Sequence, residues 1–182
     1  MKFTVTNLLI VLNCSVFMII YIFNISYYNI LFSPVLVLED YDLKKLIIPT
    51  ICHVNLLHLL INMISFYNVG NIIECIFEKK YLFIICCISI LSKIIHIIFA
   101  LLEVYIYNNN QEYYSKSIGF SNIVFGLRYI YLKKINNRVN LLGFDIHSSY
   151  IIWIELLISK YIFKNSNFIE YLSGIFAGML IS

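Results

Sequence analysis

Residues 53–74 read HVNLLHLLINMISFYNVGNIIE. The stretch is apolar enough to lie in a lipid bilayer, yet it carries His53, His58, Asn55, Asn62, Asn68, Asn71, Gly70 and Glu74. Written as a helix, His58, Asn62, Phe66, Gly70 and Glu74 recur every four residues and form one slowly drifting stripe on a single face. Polar side chains at bilayer depth cost several kcal/mol unless they face protein, water or a substrate. The stripe is therefore expected to look into a helix bundle, and the other helices must supply what it faces.

Composition agrees with that setting. Of 182 residues, 61% are hydrophobic and 13% charged, with mean hydropathy +0.85. These values fit a polytopic membrane protein of one domain rather than a soluble chain. Tyrosine (15) and phenylalanine (14) dominate the aromatics, and tyrosine is a natural interfacial anchor. The formal charge of +3 is small and scattered, so a nucleic-acid partner is not expected. Cys14, Cys52, Cys75, Cys86 and Cys87 form no CxxC pair, and neither a disulfide framework nor a thiolate metal site is expected. The first apolar run lacks a small-residue cleavage site and reads as a true span rather than a leader.

The fold expected is all-α: six transmembrane helices at about 5–23, 46–69, 81–102, 118–132, 150–163 and 168–182, within a single domain over 1–182. Between the first two lies a mixed segment, Asn24 to Lys45. The polar run NNNQEYYSKS (108–117) separates the third and fourth, and a basic connection from Lys133 to Ser149 separates the fourth and fifth. An even number of spans puts both termini on one side. Lys2, Lys79, Lys80, Lys133, Lys134 and Arg138 lie there, against Lys44, Lys45, Lys116, Lys160 and Lys164 opposite, which favours cytoplasmic termini. Asn24-Ile-Ser26 matches a glycosylation acceptor but abuts the first span.

Gly119-Phe-Ser121-Asn-Ile-Val-Phe125-Gly126 opens the short fourth span. A serine there sits where free backbone N–H groups and the positive end of the helix dipole converge, a setting suited to a nucleophile whose attack creates an oxyanion. The alternative is a packing face of small residues. A zinc-protease reading fails on spacing, because His53 and His58 are five apart and no HExxH is present. Lys93, His96, Ala100 and Glu103 form a stripe on the third span that could serve transport, although pairing or snorkelling is the reading preferred.

Set side by side, His53-x4-His58-x3-Asn62, Gly70, Glu74 and the GFSxxxFG segment resemble the rhomboid family of intramembrane serine proteases. Leu142-Gly143-Phe144, Trp153-x-Glu155 and FIEYLSGIFAG (168–178) look like its endoplasmic-reticulum subgroup. The resemblance spans the second to sixth helices. It implies Ser121 as nucleophile, His58 and Asn62 as oxyanion-hole residues, and His53, Gly119, Phe125, Gly126, Gly174 and Gly178 as shapers of the site. It also implies single transmembrane helices as partners, the lipid bilayer as surroundings, an endoplasmic-reticulum location and no cofactor. Fixed donors in a sheltered site stabilise developing negative charge strongly.

Two positions depart from the family pattern. The general base is a histidine three residues before the first glycine of the last span's GxxxG, and here that position is Tyr171. A phenol titrates near pH 10 and is a poor acceptor for a serine proton at neutral pH. Asn122 stands where glycine is usual after the serine. Glu170, about 100° around the helix from Tyr171, is expected to point away from Ser121. Two functions remain open: a working intramembrane serine endopeptidase, and a rhomboid-fold pseudoprotease that binds transmembrane helices. The identity of Tyr171 favours the second.

Overall fold

The computed structural model of the protein describes residues 4–135, 138–141, 144–162 and 167–182. Lys2, Lys164 and the Leu142-Gly143 part of the expected Leu-Gly-Phe element lie outside them. In chain order the helices are α1 (Val5–Ile22), the single turn α2 (Pro34–Leu38), α3 (Leu56–Phe77), α4 (Tyr81–Tyr107), α5 (Ser121–Ile135), α6 (Ser148–Ile162) and α7 (Phe168–Ile181). Six of these are long, matching the six expected helices.

Their ends follow local chemistry. The Thr4 hydroxyl accepts from the Asn7 N–H at the start of α1, and the Asn55 carboxamide accepts from the His58 N–H at the start of α3. That cap explains why α3 begins ten residues later than the sequence reading placed it. Residues Leu43–Leu46 and Ile48–Ile51 form 3-10 turns, and Pro49 has no N–H to continue a ladder. α3 also runs on past Val69 to Phe77, and α4 extends past Leu102 to an αL cap at Asn108. The basic connection contains a feature that periodicity did not predict, a hairpin pairing β1 (Arg138–Leu141) with β2 (Phe144–His147), with Val139 opposite Ile146.

Among the described residues two stretches are long and apolar enough to cross a bilayer, Val5–Ile22 and Leu56–Tyr107. At 15, 15 and 14 residues, α5, α6 and α7 extend only about 21–23 Å, short of the ~30 Å hydrocarbon core.

α1 is clasped to α3 by Glu74, whose carboxylate accepts from Val5 N–H (2.7 Å), Thr6 N–H (2.9 Å) and the Thr6 hydroxyl (2.7 Å). The lower end of the polar stripe thus caps a neighbouring helix. Gly70 leaves room for this clasp, since a Cβ there would lie 2.7 Å from the Tyr81 hydroxyl and 3.0 Å from Thr6.

The tightest packing joins α5 to α7. A Cβ on Gly174 would fall on the Asn122 carbonyl, and one on Gly178 on the Gly126 carbonyl. On Gly126 it would sit 2.9 Å from Gly174 O and 2.7 Å from Ile88 Cγ2. Backbone lies directly on backbone along two turns, the close approach that small residues permit between membrane helices. Because no side chain can give way, Gly174→Val is predicted to destabilise the bundle by about 1–3 kcal/mol or more. Denaturant titration in detergent micelles checks this, and an unchanged midpoint would refute the backbone contact.

Candidate active site

Ser121 is the first residue of α5 and is 6% exposed. The chain reaches it through Gly119, whose φ of +131° suits glycine alone and whose N–H donates to the Pro49 carbonyl at 3.0 Å. Gly119 is also the seat of the His58 ring: a Cβ there would lie 2.7 Å from His58 Cε1 and 3.0 Å from Nε2. One glycine therefore sets both the turn before the serine and the closeness of α3. The first ladder bond of α5 runs from Val124 N–H to Phe120 O at 3.1 Å, so the N–H groups before it have no intrahelical acceptor.

The upper half of the α3 stripe faces this turn. Asn62 donates to the backbone carbonyl of His58, one turn back on the same helix, at 2.9 Å. His53 is fully buried, edge-on to His58 with ring centroids 5.2 Å apart, and neither of its ring nitrogens has a hydrogen-bond partner among the described residues. From α7, Tyr171 stacks on Phe125 of α5, with centroids 4.9 Å apart and planes 22° from parallel. His58, Asn62, Ser121, Phe125, Glu170 and Tyr171 all line one cavity of about 950 Å³. The structure thus brings the imidazole, carboxamide, hydroxyl and phenol onto a common space. His53, Gly119, Gly126, Gly174 and Gly178 are not among its lining residues. The Ser121 hydroxyl has no hydrogen-bond partner among the described residues.

Three side chains correct or extend the sequence reading. Glu170 does not point away from Ser121 but lines the same cavity. It is held there by Lys93, whose Nζ lies 3.0 Å from Oε1, 3.2 Å from the Ser117 hydroxyl and 4.6 Å from the centre of the Phe32 ring. Asn122 turns out of the cavity and donates to the Ser92 hydroxyl on α4 at 2.6 Å, so its carboxamide does not obstruct the space before the serine. Arg128, which the sequence reading passed over, reaches from α5 to Glu155 of α6 with three contacts of 2.6–3.1 Å on the cavity's far wall. An arginine within an apolar helix and a carboxylate in the next one were the available signal.

The remaining members of the α4 stripe hold the polar loop. His96 Nε2 lies 3.3 Å from the Ser115 hydroxyl and 3.5 Å from Glu112 Oε2. Glu103 accepts from Asn109 and from the Glu112 N–H, while Asn167, at the start of α7, donates to Glu112 at 3.1 Å. Each ionisable group of that stripe is engaged in structure rather than lining an open path.

Comparison with known proteins agrees with this geometry. Residues 41–182 match the Rhomboid domain family, and the chain belongs to the rhomboid family of integral membrane proteins. It is 24% identical over 151 residues to Rhomboid-like protein 14, mitochondrial, of Arabidopsis thaliana, covering 82% of this chain and 45% of that protein. Rhomboid-related protein 4 of Homo sapiens is 24% identical over 149 residues, covering 78% and 46%. A putative rhomboid protein of Acanthamoeba polyphaga mimivirus is 31% identical over 114 residues, covering 60% of each. The chain spans about half the length of the plant and human relatives it matches.

Outside the helices, Glu112 has a carboxyl held below the usual range, chiefly by its hydrogen bond to His96 and further by Asn167 and Ser115, against the opposing effect of burial. A carboxyl lowered on folding stabilises the fold above its unfolded value, near 4.3, and loses that contribution as pH falls through its folded value. The 108–117 loop is therefore predicted to loosen in acid below about pH 4, read as faster amide hydrogen exchange there. Glu112→Gln should abolish that acid step, and an identical step in the variant would assign it elsewhere.

Proposed function

We propose that this rhomboid-family chain is a pseudoprotease, or a severely impaired protease, that binds transmembrane helices of other membrane proteins in the cavity fronted by Ser121. The single observation carrying the reading is the α7 residue at that cavity, Tyr171, a phenol stacked on Phe125. It occupies the position where the family resemblance places the general base. A neutral phenol donates well but accepts a serine proton poorly, and removal of a base that works as a unit with its nucleophile costs about 10⁴-fold or more in rate.

A second reading, an active intramembrane serine endopeptidase cleaving single-span proteins, is favoured by a different observation. The Ser121 hydroxyl is buried and unpartnered at a helix N-terminus, with His58 and Asn62 on the same cavity. In that case attack by Oγ would place an oxyanion before the N–H groups of α5 and the α3 side chains, and the proton would pass to water or an unorthodox acceptor.

The test uses the full chain in liposomes with a single-span substrate, comparing wild type, Ser121→Ala and Tyr171→His. The pseudoprotease reading expects no cleavage above the Ser121→Ala background in wild type, and at least about a hundredfold gain in Tyr171→His. Ser121-dependent cleavage by wild type at a rate similar to Tyr171→His would overturn it in favour of the endopeptidase.

The same proposal places the chain as one domain in the endoplasmic-reticulum membrane, crossing it six times with both termini in the cytoplasm. The lysine distribution supports the orientation, and the resemblance to the endoplasmic-reticulum subgroup supports the choice of membrane. A glycosylation acceptor inserted at Asn109–Gln111 is then expected to be modified, and a modified acceptor at the α3–α4 turn (Glu78–Lys80) instead would invert the orientation.

A further inference from the structure

Far from Ser121, a second cavity of about 450 Å³ is lined by Tyr129, His147, Tyr150, Trp153 and Met179. Tyr129 lies eight residues beyond Ser121 on α5, about 12 Å along the helix, and Met179 lies equally far beyond Tyr171 on α7. The cavity therefore sits where α5 and α7 finish and α6 starts, at the opposite end of the bundle from the serine. Among the described residues its walls are four aromatic rings and one thioether. The His147 and Tyr150 rings meet edge to face with centroids 6.4 Å apart. Tyr150 forms an exposed rim at 64%, while Tyr129, Trp153 and Met179 are partly buried against the core of the bundle.

This chemistry is selective. Aromatic faces attract a cation through the ring quadrupole, most effectively one that is weakly hydrated. A primary ammonium is strongly hydrated and is best held by a carboxylate, which the described walls do not supply. A quaternary ammonium has no N–H to satisfy and fills the space between rings with methyl groups. Interfacial aromatics that merely anchor a helix lie along the headgroup layer, whereas these converge from three elements on a shared space.

Lys133 lies outside the lining of the cavity, one turn beyond Tyr129 on the same face of α5. It is exposed, and its Nζ donates to the Ser182 hydroxyl at 3.0 Å and to the Ser182 main-chain oxygen at 3.5 Å, while that hydroxyl donates to the Met179 carbonyl at 3.1 Å. An ammonium next to a cage that takes cations would be repulsive for a simple cation, but it suits a zwitterion whose phosphate follows its quaternary nitrogen.

We propose that this cavity is a binding site for the phosphocholine headgroup of a bilayer lipid, with the trimethylammonium among Tyr129, His147, Tyr150 and Trp153 and the phosphate at Lys133. Trp153 is the chain's only tryptophan, so its emission, excited selectively over tyrosine, reads this site directly. The full chain in maltoside micelles is titrated with a short-chain phosphatidylcholine, with its phosphatidylethanolamine counterpart, with free phosphocholine and with tetramethylammonium chloride.

The expected result is a saturable change with phosphatidylcholine, at least about tenfold weaker binding of the ethanolamine lipid, and competition by tetramethylammonium. Tyr150→Leu, at an exposed rim position, should weaken the choline lipid and tetramethylammonium about five- to tenfold. Lys133→Gln should weaken the lipid but not tetramethylammonium. The site is overturned if choline and ethanolamine lipids act alike, if no saturable change appears, or if Tyr150→Leu binds like wild type. Free phosphocholine binding as tightly as the lipid would overturn the lipid as its source, and a Lys133→Gln variant with unchanged lipid affinity would overturn the phosphate contact.

Discussion

The contact of α5 with α7 is the constraint on which the site depends. Gly126, Gly174 and Gly178 remove every side chain between two backbones, so carbonyls of one helix lie where Cβ atoms of the other would be. Helices in lipid gain little from burying apolar surface against one another, and their association rests on close packing and internal polar bonds. Contact of this kind fixes the axial register as well as the distance. It puts Tyr171 against Phe125, and the start of α5 beside the start of α7. A sliding motion of one helix would drive backbone into backbone. The serine turn is thereby held from behind by α7 and from in front by His58 seated on Gly119.

Around that rigid pair, the polar residues of the bundle fall into closed sets. Glu74 is consumed by the N-terminus of α1, Lys93 by Glu170 and Ser117, His96 by Ser115 and Glu112, and Arg128 by Glu155. Charges removed from water are costly to leave unpaired, and each of these sets also ties together helices or loops distant in sequence. Lys93 and Glu170 are 1% and 5% exposed and join α4 to the first turn of α7, one residue before Tyr171. The ion pair helps fix the orientation of the α7 start. The Ser121 hydroxyl and both His53 ring nitrogens have no partner among the described residues, and the same holds for buried atoms of Asn13, Ser33, His96, Asn122 and Ser173 elsewhere in the bundle.

Under the proposed reading, the phenol of Tyr171 alters chemistry without altering architecture. Its ring continues the aromatic wall begun by Phe125, and its backbone lies three residues before Gly174, so the glycine face stays intact. What is proposed is a scaffold that persists while a proton acceptor is exchanged for a donor. Binding of a helix needs the shape of the cavity, whereas cleavage needs the protonation logic as well. Asn122 illustrates the same separation: an added side chain beside the serine turns to Ser92 on α4, where it reinforces packing rather than filling the cavity.

The sequence by itself determined the class of fold and the helix faces on which the candidate site residues lie. Four-residue periodicity put His58, Asn62, Gly70 and Glu74 on one face of α3, glycine spacing aligned Tyr171, Gly174 and Gly178, and a serine after a polar loop marked a helix start. These are local regularities of a helix, legible because side-chain direction follows from position alone. Other features were decided only by the tertiary structure. The β1–β2 hairpin, the clasp of Glu74 on α1, the placement of Glu170 beside the cavity and the outward turn of Asn122 depend on which neighbour stands opposite. Glu170 is the clearest case: helical geometry alone turned it from Ser121, but Lys93, 77 residues away in sequence, supplies the counter-charge that holds it beside the cavity. A buried charge goes where its partner is, and partners distant in sequence become neighbours only when the helices pack.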